Sequence, residues 1–305
     1  MNWIKTGWGP CLQQEFSPIL PYVLDCSNIK ITNRDFISIA IDFINKIVNE
    51  YPEPYYLMAS GGVDTQAMIY CWLQAKKKFR ILSYYYNEIY NQHDLKTLNE
   101  FASNFDLDVE YRNFDLINFL DTDLMKYALE YQTTSPQMCA FMSICDKITD
   151  GTIIFSGNLL ELNSPSLNYT ILGMDRYAKK RKNMIPFFFQ HDSELAGSLF
   201  PHLIKNKILM FSYQKKVDIY KQFCNVPVIA QETKYSGYEQ IKNLYDNRYD
   251  LVTPLDKLQF SNLPSKRIFD IHYRYKLTKL IKYVDTVEYI LPKSLIDMYY
   301  NSHSG

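Results

Sequence analysis

Between Tyr55 and Ala75 the sequence YYLMASGGVDTQAMIYCWLQA changes period in mid-course. An apolar run, Tyr55–Ala59, stops at Ser60-Gly61-Gly62. Met68, Cys71, Trp72 and Ala75 then follow at the spacing of one helix face. A buried strand that turns straight into a helix is half of a parallel crossover unit, and the pairing recurs downstream. RILSYYY (Arg80–Tyr86) reads as a second strand, and HDLKTLNEFASNF as a helix with Leu95, Leu98, Ala102 and Phe105 inward. DVEYRNF is a third strand. Ser135 as N-cap and Pro136 at the first helical position open a helix carrying Met138, Phe141, Cys145 and Ile148. TIIFS is a fourth strand, ending in a second small-residue corner, GNLLELNS. Alternation of this kind predicts an α/β fold with a parallel, doubly wound sheet covered on both faces.

The expected organisation has three parts. Residues 1–31 form an irregular N-terminal arm anchored by Trp3, Trp8 and Pro10, and residues 32–230 form the α/β domain. Residues 231–305 form a mostly helical C-terminal region. The first helix of the domain shows Phe36, Ala40, Phe43, Ile44 and Ile47 on one face, with Thr32 and Asp35 placed as a capping box. Residues 170–235 are less regular, with a basic run, RYAKKRK, and an aromatic run, PFFF.

Composition narrows the classes of function. Basic and acidic residues both total 33, so no net positive field draws the chain to nucleic acid. No apolar run reaches membrane-spanning length, and the N-terminus lacks a secretory pattern. The six cysteines form no Cys-x-x-Cys pair, which argues against zinc, iron–sulfur and dithiol sites. Together these features predict a cytoplasmic protein with reduced thiols that does not enter membranes.

Ligands of doubly wound sheets bind beyond the carboxyl ends of the strands, where both corners fall. At Ser60-Gly61-Gly62-Val63-Asp64-Thr65 the glycines let backbone N–H groups approach an anion, and the next helix presents its positive end. Ser60 and Thr65 add hydroxyls. An aspartate in such a cradle repels phosphate unless a divalent cation joins them, and magnesium binds through one or two carboxylates plus phosphate oxygens. The corner is therefore read as a phosphate site at which Asp64 holds Mg2+.

The motif lacks the lysine of the common P-loop. SGGVDT instead resembles the PP-loop signature Ser-Gly-Gly-x-Asp-[Ser/Thr] of the ATP pyrophosphatases, the adenine nucleotide alpha hydrolase-like superfamily. The resemblance covers about two-thirds of the chain and implies a Rossmann-like, HUP-type PP-loop fold using ATP and Mg2+. It implies that Ser60, Gly61, Gly62, Val63 and Thr65 bind the β- and γ-phosphates. It also implies that adenine packs at the end of the second strand, near Tyr86, although core packing explains Tyr84, Tyr85 and Tyr86 equally well. Gly157 and Glu161 fit a later family corner that helps hold nucleotide and metal. This chain has Asn158 and Glu161 where the family more often has histidine and aspartate. QKKVDIYKQFCNVP (Gln214–Pro227) resembles a later family helix and places Lys215 near the phosphates.

The implied reaction cleaves ATP to AMP and pyrophosphate, adenylating a substrate oxygen for displacement by ammonia, an amine or a sulfur donor. The acceptor is open: a carboxylate, a base in tRNA or DNA, or a small metabolite. The basic loop 176–182 is a place where nucleic acid or leaving pyrophosphate could be met, against the simpler reading of a solvated charged loop. His93 and Asp94 read as helix-start caps or ribose contacts. Two alternatives compete. One is a nucleotide-binding sensor without turnover; the other is a phosphoadenylyl-sulfate reductase-like enzyme, for which a reactive cysteine near the C-terminus is missing. The sequence is also compatible with an oligomer.

Overall fold

Five strands lie side by side in a sheet whose neighbouring pairs are all parallel. In chain order they are β3 (Tyr55–Met58), β4 (Arg80–Tyr86), β5 (Val109–Phe114), β6 (Thr152–Phe155) and β7 (Met184–Ile185). Their spatial order is β5-β4-β3-β6-β7. The computed structural model describes residues 4–8, 10–12, 22–86, 91–131, 133, 136–159, 167–206, 213–231 and 287–303. The four strands expected from the sequence are present to within a residue. The fifth, β7, is two residues long and lies in the stretch expected to be irregular.

Alternation along β3 shows why the sheet is covered twice. Tyr55 and Leu57 join one apolar cluster, and Tyr56 and Met58 join the other. The first cluster is built from helices α1 (Phe36–Glu50), α2 (Val63–Gln74) and α3 (Gln92–Ser103), with the segment Phe188–Val228. The second is built from α4 (Leu116–Thr122), α5 (Leu124–Tyr131), α6 (Pro136–Asp146) and α7 (Leu167–Arg181). α2 is buried almost all round, with Ala67, Met68, Ile69, Cys71 and Trp72 fully enclosed. Each large apolar side chain so placed contributes roughly 1.5–3 kcal/mol, and this anchors the helix start at the glycine corner.

Several expectations shift on inspection. The N-cap of α1 is Asp35, whose carboxylate accepts from Ser38 N at 2.8 Å, while Thr32 accepts from Arg34 N. Thr32 is thus part of a turn before the cap. On α6 the enclosed side chains are Cys139, Ala140, Met142, Ile144 and Cys145, while Met138 and Phe141 are half-buried. The apolar residues of that helix run on both sides, because one side packs inward and the other borders a cleft.

The N-terminal segment is not an irregular arm. β1 (Lys5–Trp8) pairs antiparallel with β2 (Tyr22–Asp25), and β2 pairs parallel with β8 (Val287–Ile290) in a second, three-stranded sheet. β8 precedes a helix, Lys293–His303, whose Leu295 is buried in the core. Residues 232–286, most of the region expected to be helical, lie outside the described residues. The basic run is not a loop either: Arg176–Arg181 forms the end of α7. Its charges are met by neighbours, with Lys179 on Asp175 at 2.8 Å, Lys180 on Glu130 at 2.9 Å and Arg181 beside Asp146 at 3.7 Å. No helix among the described residues is long and apolar enough to cross a membrane.

Candidate functional site

The sheet order reverses at β3: its successor in sequence, β4, lies on one side of it and β6 on the other. A crevice opens beyond the carboxyl ends of strands at such a point. The corner Ser60–Thr65 closes one wall and Ser156–Asn158 the other.

Gly61 has φ +76°, and a Cβ there would lie 2.0 Å from the carbonyl oxygen of Asp94 in α3. Both the backbone angle and the close approach demand glycine. Gly62 is different. Its φ is −66°, and a Cβ would meet only the Ser60 hydroxyl, at 3.5 Å. It is the N-cap of α2, and no side chain caps the helix there. The N–H groups of the first turn, with the positive end of the helix dipole, therefore face an uncluttered concavity suited to an anion.

Ser60 is exposed at the mouth, whereas Thr65 is buried and donates its hydroxyl proton to the Gly62 carbonyl at 2.7 Å. The expected phosphate donor Thr65 thus stiffens the loop. Gln66, fully buried, works the same way. Its amide donates to Gly61 O at 2.8 Å and Ile229 O at 3.0 Å and accepts from Ile229 N at 2.6 Å. Gln231 donates to the Asp94 carboxylate at 2.7 Å. The segment Val226–Gln231 therefore straps the starts of α2 and α3 together, a function that nothing in its local sequence announces.

Asp64 lies in the first turn of α2, about one-sixth exposed. Its Oδ2 is 3.1 Å from Lys216 Nζ, and its Oδ1 accepts the Tyr220 hydroxyl proton at 2.7 Å. Lys216 sits on a short helix, Tyr213–Asp218, which runs into a π-helical turn, Ile219–Phe223, carrying Tyr220. Four residues apart, the two side chains share a face. Tyr220 is fully enclosed, and burial, reinforced by the Asp64 charge, pushes its phenol well above the ordinary range, so it stays a proton donor. The expected lysine, Lys215, is exposed one position earlier, and Lys216 is the one that reaches the corner. Basic residues at adjacent positions differ by about 100° around a helix, and the sequence alone does not say which one faces inward.

The second corner meets the first through the same lysine. Lys216 Nζ donates to Asn158 Oδ1 at 3.3 Å. Gly157 has φ +65°, and a Cβ would lie 2.9 Å from Phe187 Cβ. Buried Gln190 donates to Asn158 O at 2.8 Å, and Phe189 N donates to Ser156 O at 3.2 Å. The aromatic run PFFFQ is therefore the support of this corner. Glu161 lies outside the described residues. Asp64, Asn158 and Ser60 are hard oxygen donors of the type magnesium accepts, and they fit it as a partial set completed by phosphate oxygens. No group of three or more His, Cys, Asp or Glu side chains able to hold a metal occurs among the described residues.

Beside the Ser60–Thr65 corner a cleft open to solvent runs along the second apolar cluster. Tyr84 and Tyr86 line it from β4, Phe155 from β6, and Gln137, Phe141 and Ile144 from α6. Phe141 packs on Phe155 with centroids 5.2 Å apart, and Tyr86 meets Phe114 edge-on at 6.1 Å. Asn91 closes the strand end, accepting from Tyr86 N at 2.9 Å and donating to Tyr84 O at 2.7 Å. Flat apolar walls next to an anion-binding corner suit a planar base attached to phosphates. Burial pushes the thiols of Cys26 and Cys139 up to about 12 and raises those of Cys71, Cys145 and Cys224 as well. Cys224, fully buried, is thus unsuited to the nucleophilic role that a sulfate-reductase reading would require.

No protein-family model matches this chain, and no curated protein does either. Among solved structures the chain is similar to the U34-tRNA thiolase NcsA from Methanococcus maripaludis, which carries a 4Fe–4S cluster. That likeness has 13% identity and a TM-score of 0.35, covering 82% of this chain and 81% of that one. It is also similar to the NMN synthetase from Francisella tularensis, with 12% identity and a TM-score of 0.32, covering 74% of this chain and 99% of that one. At such distances neither likeness bears on residue roles here.

Proposed function

We propose that this chain is an ATP pyrophosphatase of the PP-loop type, which binds ATP across the two corners and adenylates a substrate oxygen. The observation that carries the reading is the uncapped start of α2 at Gly62, with Asp64 and Lys216 beside it at the point where the strand order reverses. The β- and γ-phosphates lie on Ser60, Gly61, Gly62 and the Val63 and Thr65 backbone. The base enters the cleft between Tyr86 and Phe141, and Gly157 lets the chain pass close to the α-phosphate. The substrate oxygen attacks the α-phosphorus in line, and the bond to the bridging oxygen breaks. The electron pair departs on pyrophosphate, leaving an adenylated substrate that ammonia, an amine or a sulfur donor releases from AMP.

Lys216, rather than Lys215, neutralises charge on the leaving pyrophosphate. Magnesium, when bound by Asp64 with Glu161 and phosphate oxygens, supplies further charge neutralisation there. Positioning and electrostatics account for the rate in such transfers, so no side-chain nucleophile is required. The test is incubation of the purified chain with radiolabelled ATP and Mg2+. Formation of AMP and pyrophosphate, enhanced by an extract that contains the acceptor, is the expected result. ADP with phosphate contradicts the proposal, and binding without any product points to a sensor.

A further inference from the structure

Asp64 is a carboxylate with both oxygens already engaged. Lys216 holds Oδ2 at 3.1 Å and Tyr220 holds Oδ1 at 2.7 Å, and the side chains of Asp64 and Lys216 are only 17% and 14% exposed. Screening by solvent is weak at such burial, so the ammonium–carboxylate attraction is several-fold stronger than between exposed charges. A divalent cation arriving alone must displace that ammonium, shed part of its own water shell and leave Lys216 facing another cation. A triphosphate changes the balance. It brings about four negative charges to the start of α2, and the Lys216 ammonium, on a flexible four-carbon stem, has a new partner within reach. Asn158 Oδ1, 3.3 Å from Nζ on the far side, steadies the lysine between its two positions. Tyr220 is enclosed and cannot follow, so its hydroxyl keeps the carboxylate aimed while the lysine leaves.

We propose that Lys216 is an exchangeable cation that bars free metal from Asp64 and yields its place only when the metal arrives with nucleotide. The exchange rests on the reading of Asp64 as a ligand of nucleotide-borne metal. Its consequence is strong coupling: Mn2+ and nucleotide bind together, and neither binds tightly alone. Lys216 touches the substrate phosphates in the loaded state; Tyr220 acts through Asp64 and is a positioning residue.

Binding of Mn2+ to the full chain, followed by the electron paramagnetic resonance signal of the free ion, tests this with and without β,γ-imido-ATP, the Mn2+ taken up by the analogue alone being measured without protein and subtracted. In the wild type, adding the analogue strengthens Mn2+ binding by at least about a hundredfold. In Lys216→Met, which keeps most of the packed stem, nucleotide-free Mn2+ binding strengthens by at least about tenfold. Adding Asp64→Asn to that variant removes the gain. Thermal unfolding of both variants near the wild-type midpoint establishes that they are folded. Unchanged Mn2+ affinity in folded Lys216→Met, or a gain that survives Asp64→Asn, overturns the exchange alone. Failure of the wild type to bind the analogue overturns the underlying reading of the site, and the exchange with it.

Discussion

The two corners of the crevice look alike in sequence and are built on different principles. Each ends a buried strand, and each has one glycine in the left-handed region, Gly61 at φ +76° and Gly157 at φ +65°. After the first corner the chain enters a helix at once, so the backbone itself presents the unpaired N–H groups and the side chains Thr65 and Gln66 turn inward to stiffen it. At the second corner the group that meets Lys216 is a side chain, Asn158, and the backbone there is held by Gln190 and Phe189 from more than 30 residues later. The backbone corner tolerates little change at Gly61, and Gln66 ties it to Ile229, 163 positions away. A corner that presents a side chain depends on distant supports.

Substitutions can break this contrast. Gly61→Ala drives a Cβ to 2.0 Å from the Asp94 carbonyl in a backbone conformation unfavourable to alanine. A loss of roughly 2–5 kcal/mol in unfolding free energy is expected by denaturant titration. Asp64→Asn removes a charge but keeps the shape, so the fold should persist while pyrophosphate release falls at least about a hundredfold, equivalent to about 2.7 kcal/mol. Retention of wild-type turnover in that variant would remove Asp64 from the mechanism. Gln190→Leu strikes the second corner at its support. The expected cost is about 1–2 kcal/mol in stability, with a rise in KM for ATP larger than any fall in kcat; a KM equal to wild type would separate this brace from the site. Gly62→Ala sharpens the contrast most, because its φ suits alanine and nothing but the Ser60 hydroxyl is near. Stability should be unchanged or rise by about 0.4–1 kcal/mol. ATP binding measured by calorimetry should weaken by about tenfold as the methyl group fills the cradle. Unimpaired binding would place the phosphates elsewhere.

Much of the first corner was legible because its physics is local. A strand, two glycines and a helix start within ten residues leave little freedom in where the N–H groups point. The same locality made β3 to β6 visible, since each is a short stretch rich in β-branched and aromatic residues. β7 escaped because a two-residue strand has no period, and it exists only because Met184 and Ile185 fall beside β6. The N-terminal strands escaped for a related reason. β2, which pairs with β1, has its other partner, β8, more than 260 residues away in sequence, and such pairing leaves no local signal.

The basic run teaches the converse. Seven residues rich in lysine and arginine read as a mobile charged loop. Tertiary contacts with Glu130, Asp146 and the Tyr131 carbonyl make Arg176–Arg181 the end of a packed helix. Likewise the choice of Lys216 over Lys215 was set by which face of the helix Tyr213–Asp218 turns toward Asp64, a property of the tertiary arrangement.

By itself the sequence determined that this chain folds around a parallel sheet and that a helix with a carboxylate in its first turn starts at Gly62, because periodicity, glycine conformation and helix polarity act over a few residues. Only the tertiary structure decided which cation faces Asp64, that Tyr220 fixes its aim, and that Gln66 and Gln190 brace the two corners. Those contacts join residues more than 30 and as many as 163 positions apart, and burial, rather than local propensity, gives them their strength.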